Sequence, residues 1–447
     1  MSEGQGIKRR YQERTGRSLE LWREFSDVLV DGNTRSLAYY PPRPLVIVSG
    51  RGPMVTDADG HTYFDLLNNY TSLVHGNAHP ALLEAATAVM ATGTVFPAPH
   101  ALQARHAAMI RERIEGTEVV RYTNSGTEAA MLAVRVARAV TGRDGLAKAR
   151  YGYHGGFDGL APNVGGSSGR PEAGVAQATA DLLRVFEFND AADMDRVCRE
   201  AGSDLAAIVL EPMLGSGGAV PATSEFMAEA RRLADELGAL LILDEVQTFR
   251  LHPGGMQALL GVRADLTVLG KLIGGGFPIG AVAGPRHLLD VLSAGSPRPM
   301  KHAGTFNGNL VSMAAGIRAM ELLDPAAIAR LNGSGETLAS SIRDALASSG
   351  LPGTVTGYGS MFNVHLGAEV GTVRTGSDAT AQDHSLMELF HLALLNEGVF
   401  AAPRGFFNTS SALSDEDLEV VAGSLKQALA ELAEETSGTG RQEPADR

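Results

Sequence analysis

The chain has 447 residues, of which 44% are hydrophobic, so it can bury a large core and form two or more lobes. Its formal net charge of -13 argues against nucleic acid as the main partner, because proteins that bind phosphate backbones usually gather lysine and arginine on one face. A single cysteine, Cys198, excludes an intrachain disulfide and a cysteine-cluster metal site, and no metal is expected.

The first residues are polar and do not resemble a leader or an anchor. The start, MSEGQGIKRR, has no apolar stretch after its charges, and no apolar run in the chain approaches the ~18 residues that a membrane helix needs. We therefore expect a cytoplasmic protein without a membrane partner. A reducing compartment also fits the single cysteine.

Local patterns predict a helix and a hairpin before residue 74. Apolar residues at near-helical spacing predict a helix from Leu19 to Val30. Between Leu45 and Leu67, the alternating run PMVTDADGHTYFDLL predicts a β-hairpin with its turn at Asp59-Gly60. The same turn resembles the start of a calcium loop, but the later ligand positions and the closing glutamate are missing. We therefore prefer the interpretation as a turn.

From about residue 81 to 310, strand and helix patterns alternate. Short apolar strands such as LAAIVLEP and ALLILDE, separated by amphipathic helices, predict an α/β lobe whose mainly parallel sheet has helices on both faces. We assign 75–316 to this large domain and 317–435 to a smaller α+β domain that residues 1–74 complete. The polar end, 436–447, is predicted to be a disordered tail.

Polar residues follow four predicted strands, and the carboxyl ends of parallel strands are where such sheets bind ligands. The strand EVVRYTN precedes Ser125, Gly126 and Thr127, whose backbone N–H groups and hydroxyls could hold a phosphate, although a plain helix N-cap has the same sequence. The next three strands of this kind end in acids or a lysine, namely Glu211, Asp244 and Lys271. Glycines at 274–276 let the chain turn tightly after the lysine.

A phosphate cup, a buried acid and a lysine together meet the needs of pyridoxal phosphate. The lysine forms a Schiff base with the aldehyde, and Asp244 keeps the pyridine nitrogen protonated so that the ring can accept electrons. The pyridinium in turn pairs with Asp244, whose unpaired burial would be costly. A non-catalytic nucleotide-binding protein is the alternative from another class. It is disfavoured because a G-x-G-x-x-G turn after the first strand and a P-loop lysine are missing.

Six motifs in this order resemble the class III aminotransferases of PLP fold type I. They are NSGTEAAMLAVRVAR (124–138), YHG (153–155), EP (211–212), DEVQ (244–247), GKLIGGGFPIGA (270–281) and HAGTFNGN (302–309). The resemblance extends from about residue 30 to residue 430. Taken singly, the same pieces could be a core tyrosine, a strand-capping glutamate or a plain glycine-rich loop.

The resemblance implies a role for each matching residue. The cofactor contacts it implies are Ser125, Gly126 and Thr127 on the phosphate, Tyr153 stacked on the ring, Asp244 on the ring nitrogen, Val246 beneath the ring, Gln247 on the ring hydroxyl and Lys271 as the Schiff-base lysine. Glu211 is expected to be a wall of the site, and His154 a structural residue. Thr305 would reach the phosphate of the neighbouring subunit, which implies a homodimer with shared sites.

Within this class the chain is most similar to the glutamate-1-semialdehyde aminomutase branch, and nearer still to bacterial β-amino-acid aminotransferases of the β-phenylalanine type. In that group two arginines form a carboxylate-binding pair, which would be Arg35 and Arg404 here. A planar guanidinium can grip a carboxylate with two parallel hydrogen bonds. The chain departs from its relatives at DEVQTFR, where no glycine follows Thr248 and Gln247 replaces a common methionine.

These patterns predict a ping-pong transamination. The amino group would pass from a carboxylate-bearing amine, a β-amino acid, to a keto acid such as 2-oxoglutarate through the lysine Schiff base, with loops Asn68–His75 and Phe406–Ser411 as pocket walls. The alternatives are an aminomutase, which needs no second acceptor, and a decarboxylase or epimerase, since one electron sink serves all of these reactions.

Overall fold

The computed structural model describes residues 5–161, 173–369 and 371–437. Its strands are β1 Ile47–Arg51, β2 Met54–Asp57, β3 Thr62–Asp65, β4 Val119–Thr123, β5 Gly145–Ala149, β6 Leu183–Phe186, β7 Leu205–Leu210, β8 Met213–Leu214, β9 Val220–Pro221, β10 Leu240–Asp244, β11 Leu266–Gly270, β12 Gly280–Gly284, β13 Gly353–Tyr358, β14 Met361–Leu366, β15 Val399–Phe400 and β16 Phe406–Asn408. Its α-helices are α1 Gln5–Arg14, α2 Gly16–Ser26, α3 Asn68–Thr71, α4 Pro80–Met90, α5 Ala101–Arg113, α6 Gly126–Thr141, α7 Gln177–Ala180, α8 Ala191–Ala201, α9 Ser224–Leu237, α10 Gly255–Leu259, α11 Arg286–Leu289, α12 Leu310–Leu322, α13 Pro325–Ser349, α14 Gly376–Thr380, α15 His384–Asn396 and α16 Asp415–Ser437.

A seven-stranded sheet lies at the centre of the described chain, in the order β4-β12-β11-β10-β7-β5-β6. Neighbours from β11 to β6 pair in parallel, whereas β12 pairs antiparallel with both β11 and β4. The predicted α/β lobe with a mainly parallel sheet is confirmed. The pattern missed β12 because GAVAG is short and glycine-rich, and it missed β5 because the buried Lys148 interrupts its apolar run.

Helices cover both faces of this sheet. On one face, α6 buries a stripe of small residues, including Ala133, Val134 and Ala137, against Ile242 and Val268. On the other face, α8 and α9 pack their apolar sides against further strand residues. Alanine lets α6 approach the strands closely, which matters because its first turn lies at the candidate site.

The two ends of the chain share one apolar core. Ile7 and Tyr11 of α1 pack in the same cluster as Phe390 of α15 and Leu429 of α16. The predicted hairpin is confirmed, since β2 and β3 pair antiparallel, and β15 adds in parallel beside β3. Shared packing of this kind agrees with a lobe that residues 1–74 complete.

Some predicted boundaries differ from the structure. The helix predicted from Leu19 to Val30 lies earlier in the chain, since α2 runs Gly16–Ser26, and Val28 and Val30 beyond it are exposed. The proposed domain limit at residue 316 falls inside α12, and the domain limits stay predictions. Of the predicted tail, residues 436 and 437 lie in α16, and 438–447 lie outside the described residues. Within the described chain, no helix is both long and apolar enough to cross a membrane.

Candidate active site

The ends of three neighbouring strands meet at one rim of the sheet. Strand β11 ends at Gly270, which pairs with Gly280 at the start of β12, and Gly280 pairs in turn with Thr123 at the end of β4. A Cβ on Gly280 would lie 1.9 Å from the Ser125 carbonyl oxygen, so only glycine allows this approach. Lys271 follows Gly270 directly, and the register therefore places it one strand from the predicted phosphate cup.

Ser125 is the N-cap of the 16-residue helix α6, and its Oγ accepts a hydrogen bond of 3.1 Å from the backbone N–H of Glu128. Ser125 therefore forms the helix N-cap that the sequence also allowed at this position. The N-terminal turn of a helix also presents N–H groups without intrahelical partners, among them those of Gly126 and Thr127. A Cβ on Gly126 would lie 3.1 Å from Val246 Cγ2, so this glycine lets the cup lie beside the predicted ring site.

Asp244, at the end of β10, is only 6% exposed. One carboxylate oxygen accepts the Val246 N–H at 3.1 Å, and the other lies 2.8 Å from Nδ1 of the buried His154. Neither lysine nor arginine forms a salt bridge with Asp244 among the described residues. We expected a structural residue at His154, and the structure places its ring directly against this buried carboxylate. The signal was its position next to Tyr153 in YHG.

Lys271 has a backbone φ of 49°, which is rare outside glycine and costs on the order of 1–3 kcal/mol. Burial lowers the pKa of its ammonium to about 8, although the negative charges of Asp244 and Glu211 act in the opposite direction. A lysine with this pKa is partly neutral near neutral pH, so its Nζ can act as a nucleophile and as a base.

Glu211 is 3% exposed and follows β7 on the same rim. Burial, and after it the charge of Asp244, raise the pKa of its carboxyl to about 8. Its two oxygens accept the N–H groups of Tyr153 at 2.9 Å and Gly215 at 3.1 Å. Glu211 therefore fixes the backbone of Tyr153.

The remaining predicted cofactor residues surround this acid and lysine. Tyr153 keeps 40% of its surface exposed, and burial of the rest, with the nearby Asp244 and Glu211, raises the pKa of its hydroxyl. Val246 is partly exposed beyond the end of β10, and the Gln247 amide packs against Gly215. A buried carboxylate that has no Lys or Arg partner in the described chain, a lysine of lowered pKa and a helix N-terminus fit pyridoxal phosphate.

Tyr70 brings the two predicted substrate arginines together. The guanidinium carbons of Arg35 and Arg404 each lie 5.7 Å from the centroid of its ring, within the range of cation–π contacts. Arg404 is partly buried, and its Nε has no hydrogen-bond partner in the described parts of the chain. Burial lowers the pKa of its guanidinium, while Tyr70 and Glu211 act against that shift. An unpaired guanidinium in such a place favours an anionic ligand.

The sequence placed Tyr70 only in a pocket-wall loop and did not single it out. Asn68, Asn69, Tyr70 and Thr71 have φ values of 45°, 46°, 54° and 74°, a left-handed turn of four non-glycine residues. Each such residue costs about 1–2 kcal/mol unless asparagine or aspartate eases it, so surrounding contacts must hold the turn. The Asn68-Asn69 pair was the available signal, because asparagine tolerates this conformation best after glycine.

The HAGTFNGN loop lies beside the phosphate cup of its own chain. Asn307 Oδ1 accepts a hydrogen bond of 2.8 Å from Asn124 Nδ2, and Arg121 Nε donates to His302 Nδ1 at 3.2 Å. Thr305 itself is exposed, as is Phe306 at 60%. The contact of Thr305 with a neighbouring subunit stays a prediction.

Comparison with known proteins gives a consistent result over nearly the whole chain. The family model for aminotransferase class-III matches residues 38–429. The chain is 38% identical over 390 residues to a beta-phenylalanine transaminase of Variovorax paradoxus, covering 87% of this chain and 86% of that protein. It is 38% identical over 423 residues to a glutamate-1-semialdehyde 2,1-aminomutase of Methanothermobacter thermautotrophicus, covering 93% and 99%. A solved transaminase with PLP bound matches with a TM-score of 0.88 and 36% identity, covering 94% and 99%.

Proposed function

Since this chain belongs to the class III aminotransferases, we propose that it moves the amino group of a carboxylate-bearing amine, a β-amino acid, to a keto acid such as 2-oxoglutarate. Its fold is PLP fold type I, and its cofactor is pyridoxal phosphate. The observation that carries the proposal is that Arg404, whose buried Nε has no hydrogen-bond partner in the described chain, and Arg35 both lie near the ring of Tyr70. Two guanidinium groups near one aromatic ring can hold both a donor carboxylate and a dicarboxylic acceptor in turn.

We assign the cofactor contacts as follows: Ser125, Gly126 and Thr127 to the phosphate, Asp244 to the ring nitrogen, Tyr153 and Val246 to the ring faces, Gln247 to the ring hydroxyl and Lys271 to the aldehyde. When bound, pyridoxal phosphate supplies an electron sink for the charge left on the substrate carbon after proton removal.

The chain's own groups supply the proton transfer. With the cofactor bound, the Lys271 Nζ would be the base that takes the proton from the substrate carbon and the acid that gives it back. Its pKa of about 8 keeps part of the lysine neutral for that step at neutral pH. His154 and the Val246 N–H hold Asp244 in place, so this carboxylate needs no rearrangement during the reaction.

An aminomutase is the second candidate, because the chain covers 99% of an aminomutase relative at 38% identity. Such an enzyme would rearrange a single amino-aldehyde without a keto acid. The departure at Thr248-Phe249-Arg250, which lacks the glycine usual in that branch, supports the transaminase instead. A decarboxylase or an epimerase has no specific support in the site.

A panel of α-, β- and ω-amino donors with 2-oxoglutarate or pyruvate tests the proposal, with amino-acid formation on the acceptor as the readout. We expect the β-amino acids to give the highest kcat/KM. Turnover of glutamate-1-semialdehyde without any acceptor, together with no transfer from β-amino acids, would establish the aminomutase instead.

We also infer a cytoplasmic homodimer whose subunits share sites through Thr305. Exposed apolar residues near the first segment and the exposed Phe306 support a surface that a second copy covers. Sedimentation should give twice the chain mass, and Thr305→Ala should weaken cofactor binding. A monomer that binds the cofactor fully would disprove the shared site.

A further inference from the structure

Arg250 is a buried cation just beyond the cofactor rim, the edge of the sheet where Asp244 and Lys271 lie. It ends the short 3-10 turn Thr248–Arg250 that follows β10, and only 1% of its surface is exposed. Its guanidinium donates to Ser360 Oγ at 3.2 Å, to Asn408 Oδ1 at 3.1 Å and to the Thr409 carbonyl oxygen. All three acceptors are neutral, and no carboxylate pairs with Arg250 in the described chain. Burial lowers the pKa of this guanidinium to about 9.

Asn408 carries these bonds onward to the first segment of the chain. The Asn408 side-chain Nδ2 donates to the Leu67 carbonyl oxygen at 2.7 Å. The Asn408 backbone carbonyl oxygen accepts from Asn68 Nδ2 at 2.8 Å. Its backbone N–H donates to the Leu66 carbonyl oxygen at 2.7 Å. Asn408 therefore joins Arg250 to Asn68 through fully buried hydrogen bonds.

The positions of Tyr70 and Arg404, at the predicted substrate-carboxylate site, both depend on the hydrogen bonds of Asn408. Asn68 begins the left-handed turn that presents Tyr70, and this turn needs external contacts to keep its conformation. Arg404 lies just before β16, whose last residue is Asn408, and Asn363 Nδ2 also donates to the Arg404 carbonyl oxygen at 3.2 Å. One asparagine thus fixes Tyr70 through Asn68 and Arg404 through its own strand.

We propose that Arg250, Asn408 and Asn68 form a polar latch that sets the distance between the cofactor rim and the carboxylate-binding arginines. The inference rests on the proposed function, because it concerns the reach from the transferred amine to the substrate carboxylate. A network of directional hydrogen bonds around a buried cation permits one arrangement, whereas an apolar contact would tolerate sliding. The latch residues are positioning residues that select substrates by the spacing of amine and carboxylate.

Asn68→Gly is the sharpest variant, because glycine keeps the left-handed backbone and removes the two side-chain bonds that Asn68 donates, to the backbone carbonyl oxygens of Asn408 and Asp65. Asn69→Gly is the matched control, since within the described residues the Asn69 side chain bonds only to the nearby Ser72 Oγ. Glutarate, a dicarboxylate without an amine, is titrated calorimetrically into the holoenzyme. Loss of these two buried hydrogen bonds should weaken glutarate binding roughly 5- to 10-fold in Asn68→Gly, whereas Asn69→Gly should leave it nearly unchanged.

Kinetics then separate positioning from stability. In Asn68→Gly, the KM of the β-amino donor should rise while kcat at saturation changes little, and the preference for β- over α-amino donors should narrow. Arg250→Met should show the same pattern and Arg250→Lys a weaker one, because lysine keeps the charge but reaches fewer acceptors. Thermal unfolding confirms that each variant is folded, and the Arg250 pair gives a second test if Asn68→Gly is not.

The outcomes also separate the latch from the proposed function. If Arg404→Gln leaves glutarate binding unchanged, the carboxylate site itself is wrong. If Arg404→Gln weakens binding but Asn68→Gly behaves like Asn69→Gly and the Arg250 variants like wild type, only the latch is wrong. Equal loss of kcat and cofactor absorbance in the latch variants would also overturn it, because that pattern indicates general damage.

Discussion

The cofactor rim and the carboxylate side are built in different ways. At the rim, Asp244 and Lys271 follow neighbouring strands, and the register of β10 with β11 and of β11 with β12 fixes their spacing. On the carboxylate side, Arg35, Tyr70 and Arg404 lie on extended, left-handed and loop backbone. Sheet hydrogen bonds position the groups that we propose for the chemistry, whereas side-chain hydrogen bonds position those that we propose for substrate binding. The second region can therefore vary without disturbing the first.

Removing Lys271 should abolish the activity that we propose for the cofactor rim. In Lys271→Ala we expect turnover to fall by at least about 10³-fold, because both the covalent attachment and the general base are lost. Borohydride reduction followed by peptide mass analysis should find cofactor on Lys271 in the wild type and none in the variant. The exposed Lys301 is the control, and Lys301→Ala should keep both activity and labelling. Fixed cofactor in Lys271→Ala would refute the assignment.

Arg404→Gln should break the carboxylate side and leave the rim intact. Losing a charge-assisted, bidentate contact should raise the KM of carboxylate donors by about 10²-fold. Cofactor affinity and absorbance should stay as in the wild type, since Arg404 belongs to the carboxylate side and not to the cofactor rim. An unchanged KM would show that Arg404 does not bind the substrate carboxylate, and a loss of cofactor would show that the two regions are not separate.

The rim could be predicted from sequence because each of its residues lies at, or within two residues of, the end of a strand. Short apolar strands mark where Asp244 and Lys271 must lie, and the N-cap pattern marks Ser125. The antiparallel β12 escaped notice, yet the rim prediction did not depend on it. The YHG motif places His154 next to Tyr153, but the motif alone does not show that the His154 ring meets the buried carboxylate of Asp244.

The carboxylate side could be predicted only in part. The resemblance named Arg35 and Arg404, but nothing in their spacing indicated that both would contact the ring of Tyr70. That contact depends on a left-handed turn held by Asn408, 340 residues further along the chain. Such a long-range dependence leaves no periodic signal: the Asn68-Asn69 pair hints at the turn, but its contact with Asn408 and the role of Arg250 are visible only in three dimensions.

His154 offers a smaller test within the rim. His154→Ala removes a hydrogen bond to a charged carboxylate, so cofactor affinity should fall roughly 10- to 100-fold. His154→Asn keeps a donor near the position of Nδ1 and should restore part of that affinity. Titration of cofactor-free protein with pyridoxal phosphate, followed by absorbance, measures both. Equal affinities in the two variants and the wild type would show that the ring does not position Asp244.

Glu211 interacts electrostatically with Asp244 and Lys271 of the rim and with Arg404 of the carboxylate side. Its titration gives the prediction with the smallest expected effect. Its carboxyl pKa is raised from 4.5 to about 8, so in the folded, cofactor-free protein it holds a proton that the unfolded chain has already released. The stability it contributes is complete below pH 4.5 and declines as pH rises, until it is lost above about 8.

Glu211→Gln cannot titrate at this position and serves as the matched control. The free energy of unfolding of the wild type, minus that of the variant, should therefore decrease steadily from about pH 5 to about pH 9. Denaturant unfolding of the cofactor-free proteins measures this difference. A difference that stays level or increases would mean that Glu211 is ionised in the folded chain, where it would act as a permanent countercharge to Lys271 and Arg404. The main interaction of Glu211, where the rim meets the carboxylate side, would then be its charge and not the hydrogen bonds from the backbone N–H groups of Tyr153 and Gly215.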